Sequence, residues 1–279
     1  MERKKVTIET LKEMKKKGEK ISFLTSYDYP FATIADRAGI DMLLVGDSLG
    51  MTVLGHQTTL PVTMDDMLRH AQAVSRGAKT AFLVGDMPYM SYQISIEKAI
   101  ENAGKFLSLC RMDAVKLEGG KSMTKVIRAL TDCGIPVMGH IGMTPQFAAQ
   151  WGGYKVQGKE ADTAKLLLED ALAIQEAGAF GILLECVPAS VTDIIYKKLD
   201  IITMGIGCGP HCDGQLLIMH DTVGLFEAFT PKFVKRYAEL GKMAEEAFRQ
   251  YNEEVKSGTF PAPEHFYHIK KEELEKINA

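Results

Sequence analysis

The sequence predicts one parallel (β/α)8 barrel, with a helix in front of it and a helical extension behind it. Three observations predict this. Short runs of apolar residues recur without polar alternation, as in strands buried on both faces. Stretches of helical length separate most of these runs, and crossovers of that kind make neighbouring strands parallel. Four of the runs also stop at an acid: 41–50 carries Asp47, 81–87 carries Asp86, 114–120 carries Glu118 and 181–186 carries Glu185. An ionised carboxylate is costly inside such a strand but can be solvated at its C-terminal mouth, where barrels bind ligands. Helix N-capping accounts for a single Asp after a strand. It does not account for four acids at one structural position, two of them in the context Val-Gly-Asp.

The elements follow in order. Residues 7–17 form a helix, capped by Thr7, with Ile8, Leu11 and Met14 on one face, a solvated lysine face and Gly18 as its stop. Strand 21–28 and helix 30–38 come next, then the Asp47 strand. Residues 50–63, rich in Gly, Thr and Pro and carrying His56, make a loop long enough to act as a lid. Helix 64–76, strand 80–85, helix 94–110, strand 113–117, helix 122–132 and strand 136–142, which carries His140, continue the alternation. A second long loop, 143–159, contains Gly152, Gly153 and Gly158, and its part 152–158 reads as a mobile gate over the mouth rather than a plain surface loop. Helix 161–177, the Glu185 strand, helix 190–199 and strands 201–206 and 215–219 complete a count of eight strands. Residues 232–256 read as a helix, followed by a proline-interrupted, charged end.

A length of 279 residues suits a single domain, 1–279, with the barrel over about 20–230 and the extension over about 231–279. A net charge of −3 gives no basic excess for nucleic acid. No run approaches the ~18 apolar residues of a membrane span, and Met1-Glu2-Arg3-Lys4-Lys5 leads into a charged helix rather than a signal peptide. A cytoplasmic setting is expected, and the five scattered cysteines are expected to be reduced thiols.

Asp47 and Asp86, on neighbouring strands without a His or Cys ligand beside them, suit a hard divalent cation such as Mg2+, and Glu118 could hold one of its waters. Lys116 lies two residues before Glu118, so both side chains leave the strand on one face. A cation and an ammonium together favour a 2-keto acid, whose carboxylate and carbonyl oxygens chelate and whose neighbouring C–H is acidified. Glu185, among Leu183, Leu184 and Val187, is the candidate base, because partial burial raises a carboxyl's pKa into a useful range.

The segments Thr25-Ser26-Tyr27-Asp28, Val45-Gly46-Asp47-Ser48, Gly55-His56-Gln57-Thr58-Thr59, Val84-Gly85-Asp86-Met87-Pro88, Val115-Lys116-Leu117-Glu118-Gly119-Gly120, Gly139-His140-Ile141-Gly142-Met143-Thr144-Pro145-Gln146, Gly153-Tyr154-Lys155-Val156-Gln157-Gly158 and Cys212-Asp213-Gly214-Gln215 together resemble the ketopantoate hydroxymethyltransferase family, in that family's order. The resemblance implies a barrel of the phosphoenolpyruvate mutase/isocitrate lyase type, assembled as a homodecamer. It implies transfer of a hydroxymethyl group from 5,10-methylenetetrahydrofolate to 3-methyl-2-oxobutanoate, giving ketopantoate on the way to pantothenate. It further implies Asp47, Asp86 and Glu118 around one Mg2+ per subunit, contacts to the keto acid from Asp47, Ser48, Asp86 and Lys116, His140 in the pocket wall, and Glu185 as proton acceptor. Met143 and Cys208 depart from the residues common there, and neither has a proposed chemical role. No individual residue is tied to the folate.

Other readings are weaker. Cys208, His211 and Cys212 have a zinc-like spacing but lack a fourth ligand nearby. Lys116 as a Schiff-base nucleophile is disfavoured by the acids around it. The rival functions are a phosphoenolpyruvate mutase-like or 2-keto acid lyase enzyme acting without folate, and a catalytically idle barrel that only binds or assembles.

Overall fold

Thr7 opens the first helix of the computed structural model, which describes residues 3–277, by accepting a hydrogen bond from Thr10 N, and Gly18 closes it at φ 70°, a left-handed conformation natural to glycine. The span 1–279 therefore extends two residues beyond the described ones at each end, and the Met1-Glu2 part of the N-terminal reading lies outside them. This helix is α1 (Ile8–Lys17). The strands are β1 (Ile21–Thr25), β2 (Met42–Val45), β3 (Phe82–Asp86), β4 (Ala114–Glu118), β5 (Val137–Gly142), β6 (Gly181–Glu185), β7 (Ile202–Ile206) and β8 (Gly214–Leu217). All pair in parallel in sequence order, and β8 pairs with β1 to close the barrel.

Between the strands run α2 (Tyr29–Arg37), α3 (Leu49–Thr52), α4 (Met64–Gly77), α5 (Ile96–Cys110), α6 (Thr124–Asp132), α7 (Ala161–Glu176) and α8 (Ala189–Tyr196). The chain passes from β7 to β8 without a helix, and α9 (Met219–Thr222), α10 (Leu240–Ser257) and α11 (Lys271–Ile277) follow. Several boundaries differ from the sequence reading, among them the Asp47 run, whose strand ends at Val45 and leaves Asp47 in the turn that follows. The first strand stops at Thr25, because Asp28 accepts a hydrogen bond from Phe31 N and starts α2 instead. Loop 50–63 opens with a helical turn, α3, and strand β8 ends before Met219, which begins α9. The helix expected over 232–256 begins only at Leu240. The backbone before it bonds elsewhere: Tyr237 N donates to Thr222 O at 2.8 Å and Leu240 N to Val223 O at 2.9 Å, which an α-helix through these residues would forbid.

Alternate residues of each strand point inward, and the sequence makes two kinds of inward layer. The lower one is apolar: Phe23, Met42, Leu44, Phe82, Val84, Ala114, Met138, Leu183, Met204 and Leu216 form one buried cluster with Val6 and Leu11. Continuing each strand by the same step of two brings Asp86, Lys116, Glu118, His140 and Glu185 to the interior at the C-terminal end.

The N-terminal segment seals the other end. Arg3 pairs with Asp41 at 2.7 Å, Lys5 with Asp113 at 2.6 Å and Lys15 with the buried Asp213 at 3.0 Å, each also donating to a backbone carbonyl at the foot of the barrel. Lys15 thus turns away from the solvated face on which the sequence reading placed the helix's lysines, while Lys12 and Lys16 stay on it with Glu9 and Glu13.

The outer core packs the helices against the strands. At Gly85, in β3, a Cβ would overlap the ring of the buried Phe106 of α5, so the glycine before Asp86 is what lets this helix lie close. Gly85→Ala is expected to lower stability by about 1–3 kcal/mol through overpacking, read as a lower thermal midpoint; an unchanged midpoint would mean that α5 moves aside at no cost.

Candidate active site

At the mouth, the side chains singled out from sequence converge. Lys116 Nζ lies 2.8 Å from Asp86 Oδ1 and 4.0 Å from Glu118 Oε1, and Asp47 N donates to Asp86 Oδ2 at 3.0 Å. Asp47 stands in the turn between β2 and α3, beside Ser48, whose Oγ shares a 2.8 Å hydrogen bond with the Tyr27 hydroxyl. Burial pushes that phenol up to about 12, so it is a neutral partner. His140 bridges to the far side: its Nδ1 is 3.2 Å from Lys116 Nζ and its Nε2 is 3.0 Å from Glu185 Oε2.

The charges decide the protonation states. Burial alone would lower the pKa of Lys116, but Asp86, Glu118 and Asp47 outweigh it and raise the value, so the side chain is an ammonium. An ammonium can only donate, so His140 Nδ1 must accept and its ring proton sits on Nε2, facing Glu185. Burial and the Lys116 charge both lower the pKa of His140 and keep the ring neutral. Glu185 is raised by burial, with the His140 contact pulling partly back. These are the conditions of a carboxylate that stands 3.0 Å from a neutral ring and is ready to take a proton.

Asp47 is raised well above the ordinary range by burial and by the Asp86 and Glu118 charges, and burial pushes Glu118 up to about 8. Three carboxyls that are 4%, 1% and 0% exposed thus face one ammonium, and Glu118 Oε1 has no hydrogen-bond donor. Such an excess of buried oxygen charge fits a further cation. Among the described residues no three His, Cys, Asp or Glu side chains stand preassembled as a ligand cluster. Asp86 leans on Lys116, and Glu118 Oε2 accepts from Gln146 N at 3.0 Å. The set therefore suits an ion that takes one or two carboxylates directly and fills its other positions with water and substrate, which is the habit of magnesium.

Sequence reasoning missed Gln146 and Tyr92. Gln146 stood in the segment after His140 with no role given to it, and Tyr92 carried no signal at all. Gln146 donates to Asp47 Oδ2 at 3.0 Å, and the buried Tyr92 hydroxyl donates to Gln146 Oε1 at 2.7 Å. His56 is exposed on its loop. In loop 143–159, which begins with a 3-10 helix at Pro145–Trp151, Tyr154 contacts Met51 Sδ at 3.9 Å. Partial burial and the charges of Asp47, Glu185 and Glu118 raise the Tyr154 pKa, which places this ring beside the mouth.

The zinc-like triplet does not assemble. Cys208 and Cys212 Sγ atoms meet at 3.7 Å in the core, while His211 is exposed and turns to Asp193. A cavity of about 940 Å3 lies at the opposite end of the barrel, against α1 and the foot of β7, and none of the acids of the mouth lines it.

Residues 5–263 match a family model described as ketopantoate hydroxymethyltransferase. The 3-methyl-2-oxobutanoate hydroxymethyltransferase of Syntrophomonas wolfei is 52% identical over 273 residues, covering 98% of this chain and 99% of that one. The enzyme of the same name from Syntrophus aciditrophicus is 54% identical over 264 residues, 95% and 97% of the two chains. Among solved structures, 2,3-dimethylmalate lyase, a PEP mutase/isocitrate lyase superfamily member, aligns with a TM-score of 0.58 at 16% identity over 97% and 94% of the two chains. Phosphonopyruvate hydrolase in complex with oxalate and Mg2+ aligns with a TM-score of 0.61 at 11% identity over 97% and 95%. At these identities the two structures show a shared fold.

Proposed function

The chain belongs to the ketopantoate hydroxymethyltransferase family, and from that premise we propose that it transfers a hydroxymethyl group from 5,10-methylenetetrahydrofolate to 3-methyl-2-oxobutanoate, giving 2-dehydropantoate. The observation that carries this reading is the facing pair of groups at the mouth: an acid–ammonium cluster of Asp47, Asp86, Glu118 and Lys116, and across from it Glu185 held by neutral His140.

Asp47 and Asp86 would hold a magnesium ion, with Glu118 reaching it through water. Bound there, magnesium supplies Lewis-acid polarisation of a carbonyl. Lys116 binds the keto acid's anionic oxygens and stabilises the negative charge that grows on the carbonyl oxygen. Ser48 and His140 line the same pocket and fix the substrate's orientation. Glu185 accepts the proton from C3, and the resulting enolate carbon bonds to the folate's methylene carbon; both carbon–nitrogen bonds of that methylene break, water supplies the hydroxyl oxygen, and tetrahydrofolate leaves with the protons on its nitrogens.

Assembly as a homodecamer and a cytoplasmic setting belong to the same proposal. Exposed Met243, Phe248 and Tyr251 on α10 give apolar surface for subunit contacts. No helix among the described residues is long and apolar enough to cross a membrane.

The test is proton NMR of 3-methyl-2-oxobutanoate in D2O, with magnesium or with EDTA, and with or without methylenetetrahydrofolate. Magnesium-dependent loss of the C3 proton signal, turning into ketopantoate formation when the folate is added, is the expected result. Product formation that EDTA leaves unaffected would refute the metal assignment, and absence of exchange in every arm would refute the enolising reaction.

A further inference from the structure

We infer that Gln146 is a positioning residue that fastens loop 143–159 to the acids of the mouth, so that order in the loop and the geometry of Asp47 and Glu118 are set together. Its cation arm rests on the magnesium reading above; its loop arm does not.

Gln146 is 4% exposed and every polar group it carries toward the mouth is used. Its Nε2 donates to Asp47 Oδ2 at 3.0 Å and to Met87 O at 2.9 Å, which employs both hydrogens. Its Oε1 accepts from the Tyr92 hydroxyl at 2.7 Å and from Gln93 Nε2 at 3.3 Å. Its backbone N–H donates to Glu118 Oε2 at 3.0 Å. The Tyr92 hydroxyl in turn accepts from Glu118 N at 3.1 Å.

Two consequences follow from this bonding. The amide has one permitted orientation, because flipping it would set Oε1 against the oxygens of Asp47 and Met87 and leave three buried acceptors without a donor. The residue also ties two acids from different elements, Asp47 in the turn after β2 and Glu118 at the end of β4, to a single point on the loop, one through its side chain and one through its main chain. Glu118 and Asp47 therefore cannot both keep their positions if the first turn of the loop lifts. Partners of this kind orient metal-binding carboxylates, and losing one typically costs about 10–100-fold in metal affinity.

The test has a metal-free arm and a metal arm, both on the full chain. In EDTA, amide hydrogen exchange over 143–151 is followed in wild type, Gln146→Leu, Asp47→Ala and the double variant. Gln146→Leu is expected to speed exchange about tenfold, the size of one lost net hydrogen bond, and the double variant to exchange no faster than Gln146→Leu alone. Tyr92→Phe keeps the ring, deletes only the hydroxyl that orients the amide, and should act in the same direction with smaller size; it decides the matter if Gln146→Leu does not fold. Wild-type exchange in both Gln146→Leu and Tyr92→Phe, or effects of Asp47→Ala and Gln146→Leu that simply multiply, would overturn the coupling. In the metal arm, calorimetric titration with magnesium should show about tenfold weaker binding to Gln146→Leu than to wild type. Equal affinities would overturn the cation half of the inference. A wild type that takes up no magnesium would sink the magnesium reading, and the exchange cycle in EDTA would still decide the coupling.

Discussion

Glu185→Gln should slow proton exchange at C3 of 3-methyl-2-oxobutanoate by about 10²–10⁴-fold, the usual contribution of a positioned base, while leaving binding of the keto acid nearly unchanged. The substitution conserves volume and keeps a polar terminus beside His140 Nε2, which lies 3.0 Å from Glu185 Oε2. Substrate binding is assigned to Lys116 and its acids on the facing side, so what disappears is the capacity to receive a proton. The pH profile supplies an independent check. Burial raises the Glu185 pKa above the ordinary carboxylate range. The base works only when ionised, so exchange by the wild type should decline as the pH falls through that raised value. In Glu185→Gln the acid limb should vanish from the residual rate. Near-wild-type exchange, or an acid limb that survives the substitution, would move the role of base to another group.

The largest loss of stability is expected from Lys116→Met, which preserves length and removes the buried charge. Asp86 and Glu118 would then face each other, and the raised Asp47, without an ammonium 2.8 Å from one and 4.0 Å from another. Deleting one partner of a buried ion pair costs about 3–5 kcal/mol, read by chemical or thermal unfolding. The sign of the pH dependence is fixed. Glu118 already stands at about 8 with Lys116 helping to lower it, so removing the lysine raises it further. A carboxyl whose folded pKa exceeds its unfolded one binds protons more tightly when folded, and its penalty grows as pH rises from the unfolded to the folded value. Lys116→Met should therefore be closest to wild type in mild acid and fall furthest behind near and above neutrality. A deficit that is constant with pH would mean that the lysine stem, not its charge, supports the site. Keto-acid binding should be lost along with the ammonium.

The barrel was legible because both of its signals are local in the sequence. Unbroken apolar runs specify strands buried on both faces, and the acids Asp86, Glu118 and Glu185 each stand at the last position of a strand. Inward direction could be counted as well: Lys116 and Glu118 share one face by the two-residue period, and their terminal atoms approach within 4.0 Å. What escaped the sequence was whatever depends on a loop's path. Gln146 reaches Asp47 across 99 positions of chain, and nothing in residues 143–159 fixes that path by periodicity. Tyr92 is likewise silent, since a tyrosine in a loop reads as surface until its burial is known. The late start of α10 has the same origin: residues 232–239 read as helix, but the chain there is held against α9 and the turn after it, where Tyr237, Leu240 and Gly241 donate to the carbonyls of Thr222, Val223 and Gly224.

The apolar layer beneath the acids, with α1 closing the foot of the barrel, bears on what isotope wash-in can count. Met138, Leu183, Phe23 and their neighbours offer no group that could relay a proton downward from Glu185. A deuteron reaches that carboxyl, whose side chain is 12% exposed, from the mouth. Each enolisation that ends with the same hydrogen returned to the same carbon is then invisible to NMR. The observed exchange rate is the rate of carbon deprotonation multiplied by the fraction of events in which the carboxyl trades its proton with solvent before reprotonation. A change that opens the mouth further to water should therefore raise wash-in relative to product formation, even where it slows catalysis.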